Sequence, residues 1–264
     1  MKNLLSNAQI ESYNENGFLA IEGFLDACEL ELWRTATDDA VAQRLLDRKG
    51  MTNQNSDPAD YYKQVFTQCI RLADSHAGMH ELIFDPRLGE VAGTLAGIDG
   101  IRIWHDQALI KPPYGNPTAW HLDDPYWSFS SRDAISIWVA LDDATLANGC
   151  MWYLPGTHKS ARFETVGIGY NMADLFNMYP EWRDIDAVPV PVPAGSAVFH
   201  NGLTAHGAGA NMTPRPRRAM TCGYMPDGAT FNGVRNILSE EIFNSLTVGD
   251  LLNDEFQNPL VWSR

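Results

Sequence analysis

His121-Leu122-Asp123, a second histidine at His206 and an arginine eleven residues beyond it, Arg217, are the residues of this chain that could do chemistry together. Two histidines and a carboxylate can take one face of an octahedral metal ion and leave other positions open, an arrangement suited to non-haem Fe(II) and oxygen. On a β-strand residues i and i+2 share a face, so His121 and Asp123 would aim at one ion while Leu122 and Asp124 point away. Spacing alone leaves choices open. An ordinary surface pair reads the same as His-x-Asp, His200 competes with His206, and alternation puts Arg215 on the face of Arg217 and Arg218 on the other.

The elements that must position these residues fall into two textures. Asn7 to Asn16 reads as a short helix that Gly17 ends, because glycine accepts the left-handed cap conformation, and Phe18-Leu19-Ala20-Ile21 as a strand. Leu30, Trp33, Thr37, Ala40, Val41 and Leu45 recur at helical spacing and predict an amphipathic helix from Asp26, its N-cap, to about Arg48. Residues 50–59 are polar and irregular, a loop that could reach over a site. A further helical stretch spans roughly Met79 to Ala96, broken near Asp85-Pro86.

After Gly100 the chain turns to short runs of β-branched and aromatic residues: Ile101–Trp104, Ile135–Val139, Met151–Leu154, Ser196–Phe199 and Ala219–Cys222. Pro112-Pro113, Asn148-Gly149, Pro155-Gly156 and Pro193-Ala194-Gly195 punctuate them, which suggests a sandwich or jelly roll. No internal repeat or low-complexity linker interrupts the chain. We expect a single domain, with a helical part over about 1–99, a jelly-roll core over about 100–230 and a C-terminal extension over about 231–264.

Composition narrows the partners. A formal charge of −14 and a pI near 4.8 argue against a nucleic-acid surface, which needs clustered Lys and Arg, so a small-molecule substrate is the better expectation. Cys28, Cys69, Cys150 and Cys222 form no C-x-x-C pair, which argues against a zinc ribbon or redox dithiol and for free thiols in a reducing compartment. The first residues lack the apolar stretch of a signal peptide, and no run approaches a membrane span, so no membrane partner and a cytoplasmic location are expected. The sequence leaves oligomeric state open.

The segment His206-Gly207-Ala208-Gly209-Ala210-Asn211, followed by Thr213-Pro214-Arg215-Pro216-Arg217-Arg218-Ala219, resembles the phytanoyl-CoA dioxygenase family of Fe(II)- and 2-oxoglutarate-dependent oxygenases. Further matches run through most of the chain: Asn16-Gly17-Phe18, Glu22-Gly23-Phe24-Leu25, Lys111-Pro112-Pro113, Trp138-Val139-Ala140-Leu141-Asp142-Asp143, Asn148-Gly149-Cys150 and Leu154-Pro155-Gly156-Thr157-His158. The resemblance implies a mainly β fold with α additions, a double-stranded β-helix (a cupin-like jelly roll) buttressed by the N-terminal helices. It implies that His121, Asp123 and His206 hold iron, and that Arg217 pairs with the distal carboxylate of 2-oxoglutarate through a bidentate fork. Gln107 and Trp138 match positions lining the cosubstrate pocket, although a strand residue and a core aromatic would look the same.

With O2, such a centre hydroxylates an unactivated C–H bond of a small molecule and releases succinate and CO2; the protein supplies geometry and excludes water. Related halogenases replace the carboxylate of the triad, and Asp123 is intact, so hydroxylation is expected over halogenation, while desaturation and ring closure use the same ligands. The alternatives are a cupin-like metal enzyme without 2-oxoglutarate, against which Arg217 stands, and a silent binding protein. Trp104, His105, Tyr126, Trp127, Phe129, Trp152 and Tyr153 could wall a pocket or fill the core. The segment from Ser160 to Ala187 could be a lid or a helical cover.

Overall fold

The computed structural model describes residues 1–55 and 60–264. It opens with α1 (Asn7–Asn16), β1 (Phe18–Ile21) and α2 (Ala27–Asp47), then α3 (Tyr61–Val65), β2 (Thr67–Ile70), α4 (Ala77–Ile83) and α5 (Pro86–Ala96). Next come β3 (Gly100–Lys111), β4 (Thr118–His121), β5 (Ile135–Ala140), β6 (Met151–Tyr153), α6 (Leu175–Met178), β7 (Val188–Val190), β8 (Ala197–Asn201), β9 (His206–Ala208) and β10 (Arg217–Pro226). The chain closes with α7 (Glu240–Ser245) and β11 (Leu260–Ser263). Of the loop expected at 50–59, residues 53–55 form one 3-10 turn and 56–59 lie outside the described residues.

The helix signals translate directly into caps. Asp26 and Glu29 form a capping box at the start of α2, and Ser6 with Gln9 does the same for α1. The phase of α2 differs from expectation at its end: Leu45 is exposed and Arg44 is buried. Arg44 goes inward because its guanidinium finds the carbonyls of Met51, Ile70 and Arg71 and the Ser75 hydroxyl, at 2.6 to 3.1 Å, which satisfies a buried cation better than Leu45 could fill the site. At the break expected at Asp85-Pro86, Asp85 caps α5 and Pro86 takes its first turn.

All strand pairs are antiparallel, in a larger sheet ordered β1-β8-β5-β10-β3-β11, with β2 also on β3, and a smaller one ordered β4-β9-β6-β7. Such a pair of layers is the expected jelly roll. One face of the larger sheet, with Ile135, Ile137, Val139, Met220, Cys222 and Tyr224, packs in one core with Trp33, Val41, Met79, Leu88 and Val91 from the helices. Because β5 has all six residues buried, it reads in sequence as an apolar run rather than an alternation. The other face carries the row His105, Gln107, Leu109 and Lys111 of β3 opposite Gly223, Thr221, Ala219 and Arg217 of β10. Across β10 that row continues into Ser136, Trp138 and Ala140 of β5.

Residues 160–187 do two things. Tyr179 stacks on Trp182 with ring centroids 3.7 Å apart, in an apolar cluster with Leu122, Leu154 and Leu203. Thr165 donates to the Pro125 carbonyl, Tyr126 donates to the Val166 carbonyl, and Tyr170 lies against Tyr61 of α3, so residues 165–170 form a strap between two parts of the fold. Residues beyond 230 return to the sheet through β11, whose Trp262 lies over Gly89 and Gly93 of α5; a Cβ at Gly93 would meet the indole at 2.4 Å.

Gly17 ties the N-terminal elements to the turn between β8 and β9. Its φ is +81°, a Cβ there would lie 2.3 Å from Thr204 Oγ1, and its carbonyl accepts from Asn201 N–H and Thr204 O–H, both at 2.8 Å. Gly17→Ala is therefore expected to cost about 2–4 kcal/mol of folding stability, left-handed strain and overlap adding. Urea denaturation checks this, and a change within about 0.5 kcal/mol, as for an ordinary surface site, would refute it.

Candidate metal and cosubstrate site

His121 ends β4 and His206 begins β9, and the two are partners in the ladder of the smaller sheet. Each ring is oriented through Nδ1: His121 donates to the Ala119 carbonyl at 2.8 Å and His206 to the Thr204 carbonyl at 2.9 Å. With Nδ1 protonated, each Nε2 presents a lone pair, the tautomer a metal requires. Asp123 Oδ1 lies 3.8 Å from His121 Nε2 and 3.6 Å from His206 Nε2, and all three ligand atoms fall within 4.8 Å of one another.

Asp123 reaches this position differently from expectation. The strand stops at His121, and Asp123 has φ −81° and ψ −53° at the start of a 3-10 turn over Asp124–Tyr126. Two backbone N–H groups, those of Asp123 and Asp124, donate to the Gly202 carbonyl at 2.9 Å and fasten the turn to the β8–β9 connection. Asp124 is fully buried and accepts from Ser131 N–H at 3.1 Å, and burial pushes its carboxyl up to about 8.

His200 does not compete for the ion position; it holds the carboxylate. Its Nε2 lies 3.1 Å from Asp123 Oδ2, its Nδ1 lies 3.1 Å from the Tyr153 hydroxyl, and Ser136 Oγ donates to the same Oδ2 at 2.8 Å. Oδ2 is thereby engaged from β5 and β8 of the larger sheet, leaving Oδ1 facing the histidines. Sequence reading did not single out Ser136, since a strand serine carries no signal of its own, and Tyr153, expected to wall a pocket or fill the core, lies against His200. Burial pushes the His206 imidazole well below its usual range, helped by the neighbouring His121 and His200, and burial also lowers that of His121. Burial alone would raise the Asp123 carboxyl, but His206, the hydrogen bond and charge of His200, and His121 hold it well below the usual carboxylate range. An ionised carboxylate beside two neutral imidazoles is a donor set that fits a divalent ion.

The triad faces a cavity of about 310 Å³ whose wall includes Gln107, Thr118, Trp138 and Thr221. Arg217 stands just behind that wall, its guanidinium 5.0 Å from the Trp138 ring and 5.9 Å from that of Phe66. It is 0 % exposed, and none of its side-chain nitrogens has a hydrogen-bond partner among the described residues. Burial pushes it down to about 10, still a cation at neutral pH. The Trp138 indole N–H and the Thr118 and Thr221 hydroxyls are likewise buried without partners. Such a cluster of unmet donors is costly in a folded protein unless an anionic ligand meets them, and a keto acid with a distal carboxylate fits it.

The neighbouring arginines lie elsewhere. Arg218 pairs with Asp142 at 2.7 Å and Asp38 at 2.6 Å, and Arg215, expected on the same strand face as Arg217, lies exposed before β10 begins. Gln107 accepts from the Gln68 amide at 2.6 Å, so its own NH2 is left to donate. Lys111, opposite Arg217 in the ladder, is also fully buried, and burial together with Arg217 pushes its amine down to about 6. Its Nζ donates to the Asn116 carbonyl at 2.6 Å. Of the aromatic residues singled out in sequence, His105, Tyr126 and Trp127 line the cavity, Trp104 and Phe129 fill the adjoining core, and Tyr153 holds His200.

Residues 13–219 match the profile of the family described as phytanoyl-CoA dioxygenase. The chain is similar to methylphosphonate hydroxylase of Gimesia maris, with 27 % identity over 225 residues, covering 85 % of this chain and 82 % of that one. It is similar at 27 % identity to ectoine dioxygenase of Bordetella parapertussis, covering 86 % and 78 %. Among solved structures, the non-haem 2-oxoglutarate-dependent carbocyclase SnoK of nogalamycin biosynthesis superposes with a TM-score of 0.79 at 27 % identity, covering 97 % of this chain and 96 % of that one. With a match over most of its length and a donor set that suits iron and a keto acid, the chain belongs to the phytanoyl-CoA dioxygenase family of iron- and 2-oxoglutarate-dependent oxygenases.

Proposed function

We propose that this protein hydroxylates an unactivated C–H bond of a small molecule, with His121, Asp123 and His206 as the iron ligands and Arg217 as the anchor of the distal carboxylate of 2-oxoglutarate. The observation that carries the reading is the buried, unpartnered Arg217 guanidinium on the same sheet face as the residues that brace the triad. When bound, Fe(II) would activate O2, the oxidant, with two electrons supplied by 2-oxoglutarate as it is decarboxylated to succinate and CO2 and two by the substrate C–H bond.

The chain's own residues do the rest. Ser136 and His200 restrain Asp123 so that it offers one oxygen, and the carbonyls of Ala119 and Thr204 fix the two imidazoles. Arg217 supplies a planar fork to a carboxylate, and Trp138, Thr221 and Gln107 offer donors between it and the triad. Trp138 and Phe66 shield that fork from water, which strengthens a charge-assisted pair. Asp123 keeps a carboxylate where a halide would need room, which supports hydroxylation over halogenation. We place the protein in the cytoplasm without a nucleic-acid partner, a reading supported by its free cysteines and its charge of −14. No described helix is long and apolar enough to cross a membrane.

Anaerobic addition of Fe(II) and 2-oxoglutarate to the protein should produce the visible metal-to-ligand charge-transfer band of a chelated keto acid; folded protein that shows none would sink the reading. Arg217→Ala should weaken 2-oxoglutarate binding by about 2 kcal/mol or more, roughly thirtyfold, with Fe(II) affinity nearly unchanged. Equal affinity for 2-oxoglutarate in that variant would remove Arg217 from the role. His206→Ala should abolish stoichiometric iron binding, whereas His200→Ala should lower Fe(II) affinity about 10–100-fold, as for a residue that orients a ligand. Calorimetry that finds the two variants alike would place both histidines on the metal.

A further inference from the structure

The two ends of the cavity differ in chemistry. At one end the row of inward-facing residues terminates in Arg217 and Lys111; at the other it reaches His105 and Ser136, which flank Gly223 on neighbouring strands. His105 thus stands about 10 Å, two strand spacings, from the serine that braces Asp123. It lies three inward-facing positions away from the Arg217 end. Gly223 matters here because a Cβ would press on the Trp127 ring at 3.0 Å. Its absence lets Trp127 lie over the strand, edge to face with the His105 ring at 6.2 Å.

His105 lines the cavity and is only 9 % exposed, and its Nδ1 is buried without a hydrogen-bond partner among the described residues. Buried polar atoms in folded proteins nearly always have partners, and one without a partner in a ligand cavity points to the ligand. Burial pushes the imidazole down to about 4, so the ring is neutral and offers one donor and one acceptor. Trp127 lies beside it, and Tyr126, Ile168 and Ile237 add aromatic and aliphatic surface to the same cavity. Among the described residues lining the cavity there is no lysine, arginine or glutamate, and Asp123 is the one aspartate. An anion entering at the His105 end would lose its hydration and meet no protein cation. At about 310 Å³ the cavity lies near the lower limit of ligand pockets, roughly 300 Å³, and 2-oxoglutarate must share it.

We infer that the prime substrate is a compact, uncharged molecule with a hydroxyl or amide group, which His105 hydrogen-bonds while Trp127 covers its apolar part. This rests on the oxygenase reading of the same site and adds the class of substrate and the residue that selects it. His105 is a substrate-binding residue, level with the serine that braces the triad and at the opposite end of the row from the cosubstrate anchor.

The test uses the full-length protein loaded anaerobically with Fe(II) and 2-oxoglutarate, and follows the charge-transfer band as probes are added. Cyclohexanol and δ-valerolactam are the neutral probes; cyclohexanecarboxylate and methylphosphonate are the anionic ones. Saturable band shifts are expected from the neutral pair, with His105→Phe weakening their binding about tenfold and His105→Gln, which keeps a donor and an acceptor, staying within about threefold of wild type. An anionic probe that binds as tightly as the neutral ones, a lack of response to both neutral probes, or wild-type affinity in His105→Phe would each overturn the inference. Should His105→Phe not fold, cyclohexane against cyclohexanol on the wild-type protein decides it, since equal affinity would rule out the hydrogen bond. A failure of the oxygenase reading looks different: the band is then missing before any probe is added.

Discussion

Strand parity is the constraint on which this structure depends. Successive side chains of a strand point to opposite faces, so a fixed register among β3, β10 and β5 commits Arg217, Thr221, Gln107, Trp138, Ser136 and His105 to one surface. The intervening residues, among them Cys222, Ile137 and Val139, go to the helix-packed core. A slip by one residue would exchange the two sets, placing a guanidinium in an apolar core and isoleucines around the ion position. The helical layer is therefore part of the site's specification: its apolar demand locks the register that aims the polar row.

On that fixed surface the electrostatics divide cleanly. Asp123 has one oxygen saturated by Ser136 and His200 and the other turned toward neutral imidazoles, so its charge is held ready without a protein cation to neutralise it. Arg217 is the converse, a cation beside Trp138, Phe66 and Lys111 with no hydrogen-bonded carboxylate among the described residues. Buried charges of either sign are expensive when uncompensated. Their separation within one cavity describes a ligand with complementary charge at two points. Lys111 would add a second positive charge beside the first, and its depressed basicity relieves that repulsion.

Much of this arrangement was legible in the sequence because it rests on local rules. The caps at Asp26 and Gly17 and the apolar runs of β5, β8 and β10 follow from hydrogen-bonding chemistry and burial on both faces. Other parts rest on tertiary contacts. Strands β4, β7 and β9 span only three or four residues and carry ligands, glycine or proline rather than an apolar alternation, so they have no periodic signature. Arg44 is buried because three carbonyls from distant segments meet it, which helical spacing cannot show. The triad residues were visible as types at a spacing, but the route of Asp123 off the end of its strand and the role of His200 depend on Gly202, Ser136 and Tyr153, brought in by the fold.

The ion position also joins the two layers of the sandwich. Its histidines belong to β4 and β9 of the smaller sheet, whereas its carboxylate is fastened to β5 and β8 of the larger. An ion bound there would be held from both sides, as a rivet is, and would tie the two layers together at that point. The place where the two layers would be tied is then also the place from which water must be kept, so the ion's structural and chemical roles would fall on the same few side chains.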